Sequence, residues 1–94
     1  MVNKNTVHKE FVIVNKLGLH ARAAAKFVTV ASTFSCDIEI EKSGQKVNGK
    51  SIMGVMMLAA SRGTKLVLIT SGQHEADAAD ALEKLIAERF GEHE

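Results

Sequence analysis

The hydrophobic pattern changes its period near the start of the chain, and a single histidine lies at the change. Residues 11–14 are an uninterrupted apolar run typical of a β-strand. Further on, apolar residues recur at the spacing of one helix face: Ala24, Phe27, Val28 and Ala31. The sequence therefore predicts that His20 lies at or just before the first turn of a helix.

A helix start of this kind suits an anion. The first backbone N–H groups of a helix have no acceptor within it, and the peptide dipoles add a partial positive charge there. This positive end disfavours an imidazolium and so favours a neutral, nucleophilic His20. Arg22 adds a fixed cation, and Gly18 allows a tight turn before the histidine. Small neighbours leave the ring open to a large partner: Ala21, Ala23 and Ala24.

Composition limits the remaining choices. A chain of 94 residues is enough for one domain over residues 1–94. Its net charge of +1 and its lack of Trp and Tyr argue against a nucleic-acid partner. No apolar run approaches the roughly 20 residues of a membrane span, and the N-terminus lacks a signal-peptide pattern. The lone Cys36 suits a reducing compartment. We therefore expect a cytoplasmic protein that binds neither nucleic acid nor membrane.

The remaining periodicities predict the order β-α-β-β-α-β-α. Alternation of Ile38 and Ile40 with acidic residues indicates a strand with one wet face, hence an antiparallel sheet covered on one side. A doubly apolar strand over 65–70 is expected at the centre of that sheet. These features predict a two-layer α+β sandwich. The predicted strands are 6–14, 36–42, 45–49 and 65–70, and the predicted helices are 21–33, 52–60 and 75–90, followed by a frayed tail over 92–94.

Residues 44–51 match the Walker A spelling G-x-x-x-x-G-K-[ST] letter for letter. A working P-loop needs a buried parallel strand before it and an acidic residue at the end of another apolar strand to hold magnesium. The strand before this segment is half polar, and the strand over 65–70 is followed by Ser71. The sequence therefore argues against nucleotide hydrolysis. The histidines other than His20 lack the spacing of metal ligands, so we expect neither a metal site nor a cofactor.

The segment around His20 resembles the active-site motif of the HPr family, the histidine phosphocarriers of the bacterial phosphotransferase system. The family pattern is Gly-x-His-x-Arg-Pro-Ala; Gly18, His20, Arg22 and Ala24 match it, and Ala23 replaces the usual proline. The likeness extends over about residues 6–90. It implies an open-faced β-sandwich of four antiparallel strands with three helices on one face.

The resemblance also implies a function. An HPr-type protein is not an enzyme; its histidine accepts a phosphoryl group from enzyme I and passes it to a histidine of an enzyme IIA-type domain. Here the acceptor would be His20, with Arg22 beside it, and we expect a monomer. Residues 15–18 resemble nitrogen-related carriers whereas residues 50–56 resemble sugar carriers, so both branches stay open.

A second site follows from the same resemblance. Ser51 is expected to cap the helix over 52–60. In the resembling branch of the family, an HPr serine kinase/phosphorylase modifies this serine. The family places partner contacts at Ile52, Met53 and Met56, with Val55 and Leu58 facing inward. The alternative is a regulatory module of the same fold that docks to partners without carrying phosphate.

Overall fold

The computed structural model describes residues 6–94. These residues form four strands and three α-helices in the predicted order, followed by one short 3-10 helix that was not predicted. The elements are β1 Thr6–Val12, α1 Ala21–Ala31, β2 Asp37–Lys42, β3 Gln45–Asn48, α2 Ile52–Met57, β4 Lys65–Ser71, α3 Glu75–Ala87 and the 3-10 helix Arg89–Gly91.

The four strands form one antiparallel sheet in the order β1-β4-β2-β3. The predicted central position of β4 is confirmed, since β4 pairs with β1 on one side and with β2 on the other. Leu68 lies opposite Ile40, and Thr70 lies opposite Ile38. Because side chains alternate between faces, these residues share the face covered by the helices. Charged residues occupy the other face beside β4, including Glu10, Glu39 and Glu41.

The helices pack on that apolar face and give the open-faced α+β sandwich. Helix α3 contacts β1 and β4, and α1 contacts both α2 and α3. Thr70 is buried and donates a hydrogen bond to the Glu75 carbonyl, which ties the end of β4 to the start of α3. The largest fully buried side chains include Phe27, Phe90, Ile13, Ile40, Leu58, Leu66, Leu68 and Leu82.

Several boundaries differ from the predicted ones. Strand β1 ends at Val12, because Ile13 instead pairs with the turn after α2: its N–H donates to the Thr64 carbonyl and its carbonyl accepts from Gly63. Helix α2 ends at Met57, before the positive φ of Ala59 interrupts the helical backbone. Helix α3 ends at Ala87 and the chain continues as the 3-10 helix, where Arg89 and Phe90 also have positive φ.

Candidate functional site

A tight turn delivers the chain from β1 to the start of α1. The Gly18 N–H donates to the Asn15 carbonyl, and the side-chain amide of the fully buried Asn15 donates back to the Gly18 carbonyl at 2.8 Å. Gly18 has φ +70°, and a Cβ there would lie 2.9 Å from the Cα of Ser61. Leu19 then donates to the Ala60 carbonyl at 2.8 Å. Only glycine fits this close approach. The turn thereby fixes the position of His20, which follows Leu19.

His20 is the N-cap residue of α1. Its backbone is extended, with φ −72° and ψ 176°, and its carbonyl accepts the first helical hydrogen bond from Ala24 at 2.9 Å. Its side chain makes no cap hydrogen bond. The first N–H groups of α1 therefore remain available to an external acceptor. The side chain of His20 is 28% exposed, so one part of the ring reaches solvent.

The first turn of α1 is electrostatically favourable to an anion. The first turn of α1 contains no acidic residue. Arg22 is exposed and has no ion pair among residues 6–94. Ala23 and Ala24 are fully buried beneath it and add no bulk to the surface. An exposed arginine and open N–H groups thus lie beside one imidazole.

Another histidine provides a contrast within the same molecule. His74 is the N-cap residue of α3 and also makes no side-chain cap hydrogen bond. The first turn of α3, however, contains Glu75 and Asp77, and the His74 ring lies 3.5 Å from the Asp77 carboxylate. These carboxylates would repel an anionic ligand. A histidine at a helix start is therefore not sufficient to make an anion site.

The C-terminal tail adds a residue that the sequence analysis missed. Glu92 contacts the Nε2 atom of His20 through one carboxylate oxygen, and its other oxygen accepts from the Asn15 side chain at 3.0 Å. The expectation of a frayed tail over 92–94 is wrong at Glu92, whose side chain is only 15% exposed. No local sequence pattern predicts this contact, because His20 and Glu92 are 72 positions apart in the sequence.

The environment of Glu92 favours its ionised form. Burial alone would raise the pKa of this carboxyl group. Hydrogen bonds from Asn15 and His20, together with the positive charge of Lys26, outweigh burial and lower the pKa below its ordinary value of 4.5. Glu92 is consequently a carboxylate at neutral pH.

These residues line one open cleft at the start of α1. The turn, the first helical residues and the tail each contribute to its wall. The lining residues are Lys16, Leu17, His20, Ala21, Arg22, Glu92, His93 and Glu94. Among residues 6–94, no group of three or more His, Cys, Asp or Glu side chains could hold a metal ion. In this cleft Arg22 and the open N–H groups can meet an anionic group beside the ring. The same wall also carries the carboxylates of Glu92 and Glu94.

The start of α2 is built differently. Ser51 is its N-cap residue, and the Ser51 hydroxyl accepts a hydrogen bond from the Gly54 N–H at 3.0 Å, as expected for a cap. Val55 and Leu58 are buried beneath the helix. The outward side of α2 is apolar, with these exposed fractions: Ile52 42%, Met53 71%, Met56 38% and Met57 67%.

The segment with the Walker A spelling is not a loop between a strand and a helix, because four of its eight residues form strand β3. Residues 44–51 comprise half of the β2–β3 hairpin turn, strand β3 and the turn that leads into α2. The strand before it, β2, pairs only antiparallel in the sheet.

Cys36 is buried just before β2. No helix among the described residues has the length and hydropathy needed to cross a membrane.

Comparison with known proteins identifies the family. A family model described as "PTS HPr component phosphorylation site" matches residues 7–88. The phosphocarrier protein HPr of Pseudomonas putida is 55% identical over 87 residues, which are 92% of this chain and 97% of that protein.

Solved structures agree with this assignment. The crystal structure of an HPr from Thermoanaerobacter tengcongensis superposes with a TM-score of 0.90 at 48% identity and covers 94% of this chain and 99% of that one. A structure described as an HPr dimer from the same organism gives a TM-score of 0.75 at 51% identity, covering 87% of this chain and 94% of that one. The chain belongs to the HPr family of phosphocarrier proteins of the phosphotransferase system.

Proposed function

We propose that His20 is the phosphoryl acceptor of this carrier, charged by enzyme I and discharged to a histidine of an enzyme IIA-type domain. One observation supports this assignment above the others. His20 caps α1 without using its side chain, so its ring and the open N–H groups of the first turn face the same cleft as Arg22.

The chemistry of transfer fits that arrangement. A neutral imidazole nitrogen attacks phosphorus in line, while N–H donors and a guanidinium hold the equatorial oxygens. Exposure of Arg22 keeps this hold moderate, because water competes for the same oxygens. Moderate binding suits a carrier, which must release the group to its next partner. The family's proline is absent at Ala23, yet α1 still begins at Ala21 with an extended His20.

We assign partner docking to the outward side of α2. Ile52, Met53 and Met56 are exposed apolar side chains on a helix that packs against α1. Methionine adapts its shape to different apolar partners, which suits a surface that meets enzyme I and enzyme IIA-type domains in turn. Enzymes at both ends of the relay would then recognise the same patch.

We further propose that Ser51 is a regulatory phosphorylation site for an HPr serine kinase/phosphorylase. Its hydroxyl lies at a helix start, half-buried, one residue before the docking patch. A phosphate there would add nearly two negative charges beside the patch. The partners of this carrier would then dock less readily.

The experiment that tests the carrier function is a two-step transfer. The full chain is incubated with enzyme I and labelled phosphoenolpyruvate, and an enzyme IIA-type domain is added afterwards. We expect acid-labile label on this chain, followed by its loss to the second protein. A module that only docks would take up no label, and that result would exclude the carrier function.

Two further expectations remain predictions. A relative is described as a dimer, so the monomeric state expected here is to be measured by light scattering of the purified chain across a concentration series. The cytoplasmic location expected from the sequence is to be measured by fractionation of the native host.

A further inference from the structure

The tail residue Glu92 is held against His20 by an anchored piece of chain. Phe90 is buried in the core, and its carbonyl accepts a hydrogen bond from the Lys26 ammonium at 2.6 Å. Gly91 follows with φ +78°, which turns the chain toward the start of α1. Lys26 belongs to helix α1, so α1 itself holds the segment that brings Glu92 to His20, the N-cap residue of α1.

The hydrogen-bond roles around Glu92 allow one tautomer of the neutral His20 ring. An ionised carboxylate only accepts hydrogen bonds. Asn15 donates to one Glu92 oxygen. The contact between the other oxygen and Nε2 of His20 therefore requires a proton on Nε2. In a neutral imidazole the second nitrogen, Nδ1, then carries the lone pair.

We propose that Glu92 is a positioning residue for phosphoryl transfer through His20: it holds the proton on Nε2 and so presents Nδ1 as the nucleophile. This inference rests on the proposed function of His20. The Nδ1 lone pair forms the new N–P bond, and the bond from phosphorus to the donor nitrogen breaks, its electron pair returning to the donor. The Nε2 proton stays in place, and the resulting ring cation faces the Glu92 carboxylate.

Onward transfer runs the same step in reverse, so no proton has to enter or leave His20 in either direction. The other charged groups that face the ring do not share this role. Lys16, Arg22, His93 and Glu94 line the cleft. Glu94 pairs with Lys16 at 3.5 Å, and both side chains are mostly exposed. Glu88→Gln is the matched control, because Glu88 is an exposed carboxylate of the same terminal segment and does not line this cleft.

The variant Glu92→Gln tests the proton position sharply. The Asn15 side chain donates to the Gly18 carbonyl at 2.8 Å as well as to Glu92, and this second bond fixes its orientation. The glutamine oxygen would still accept from Asn15, so the NH2 group of the glutamine amide would face Nε2. An amide NH2 group donates, which favours a lone pair on Nε2 and a proton on Nδ1. The substitution keeps the shape of the side chain and reverses the tautomer.

The tautomer is measured first, by imidazole 15N chemical shifts in mildly alkaline buffer, on the full-length wild type, Glu92→Gln and Glu88→Gln. We expect Nε2–H in wild type and Glu88→Gln, and a shift toward Nδ1–H in Glu92→Gln. A wild-type ring that carries its proton on Nδ1 would overturn the proposal whatever the variants do. This measurement requires no phosphoryl donor, so it stands apart from the carrier function.

The rate of labelling by enzyme I is measured next on the same three proteins. We expect Glu92→Gln to accept label about tenfold more slowly, with Glu88→Gln at the wild-type rate. Unchanged labelling of Glu92→Gln would overturn the proposal. Faster labelling would also overturn it, because Glu92 would then act as an anion that competes with the phosphoryl group. Absence of label in wild type would count against the carrier function, and the tautomer result alone would then decide whether Glu92 positions the ring.

Discussion

The starts of α1 and α2 treat their free backbone N–H groups in opposite ways. Both helices begin with an extended N-cap residue, and neither has an acidic residue in its first turn. At α2 the Ser51 hydroxyl accepts from the Gly54 N–H, so the helix satisfies one of its own free donors. At α1 the His20 side chain leaves those donors open and turns to the tail residue Glu92 instead.

Under the proposed function of His20, this difference separates a structural helix start from a reactive one. A serine cap is worth about 1 kcal/mol of stability, which α1 forgoes at His20. In return, the first N–H groups of α1 can receive a phosphoryl group, and the ring is braced by a residue from the far end of the chain. Phosphorylation of Ser51 would add charge at the closed start and act on the open start from a distance.

Replacement of the acceptor should have the largest effect. His20→Ala should abolish labelling by enzyme I, because no other histidine combines a helix start with an acid-free first turn and a nearby arginine. His74→Ala is the matched control, since His74 also caps a helix without using its side chain. Equal labelling of wild type and His20→Ala would show that the open start of α1 is not the acceptor site.

Removal of the neighbouring cation should have the next largest effect. Arg22→Ala should slow transfer about tenfold, because a charge-assisted hydrogen bond contributes about 1.5–3 kcal/mol and water competes for it here. The fold should be unaffected, since Arg22 is exposed and makes no ion pair among residues 6–94. Arg62→Ala serves as the control in stopped-flow transfer measurements. Equal rates for the two variants would mean that Arg22 is only a solvated surface charge.

A negative charge at Ser51 should have a smaller and salt-dependent effect. At a separation on the order of 10 Å in water, one charge repels a doubly charged phosphoryl group by about 0.8 kcal/mol, or roughly fourfold in rate. Ser51→Asp should therefore slow transfer about fourfold at low salt and less at high salt. Phosphoserine, with about twice the charge, should slow it more.

The matched control for that charge is Ser51→Asn. Asparagine and aspartate are both good N-cap residues, so the two variants should melt alike and differ only in charge. Labelling of His20 is compared in both variants across a salt series. A Ser51→Asp variant that melts normally and transfers at the wild-type rate at low salt would contradict the electrostatic mechanism.

Sequence reasoning recovered the parts of this comparison that depend on nearby residues. The helix starts at His20 and Ser51 are encoded by a change of period and by a capping serine within a few positions. The central position of β4 was also predicted, because its residues are apolar on both faces. Such signals are local and survive without knowledge of the tertiary structure.

The missed parts depend on tertiary contacts. Glu92 in the sequence is one acid in a polar tail, and only the anchoring of Phe90 in the core brings it to His20. The predicted end of α2 at residue 60 is too late for a related reason: the helix ends at Met57, and the positive φ of Ala59 then lets the Ala60 carbonyl accept from the Leu19 N–H. Neither contact produces a periodic pattern in the sequence.

Acidification should have the smallest effect, and it tests the brace at the open start of α1. The pKa of Glu92 lies below its ordinary value of 4.5 in the folded protein. A carboxyl group with a depressed folded pKa contributes stability above its unfolded pKa and loses that contribution as pH falls through the folded value. The stability that Glu92 adds is therefore complete at neutral pH and declines below about pH 5.

The measurement compares the free energy of unfolding of wild type and Glu92→Gln by urea titration from neutral to acidic pH. All other carboxyl groups are common to both proteins, so the difference between them reports residue 92 together with its contact to His20. We expect wild type to be the more stable at pH 7 and its advantage to shrink as the pH falls below 5. If the stability advantage of wild type instead grew on acidification, burial of the Glu92 carboxylate would cost more free energy than its hydrogen bonds with Asn15 and His20 supply. Glu92 would then destabilise the folded protein at neutral pH.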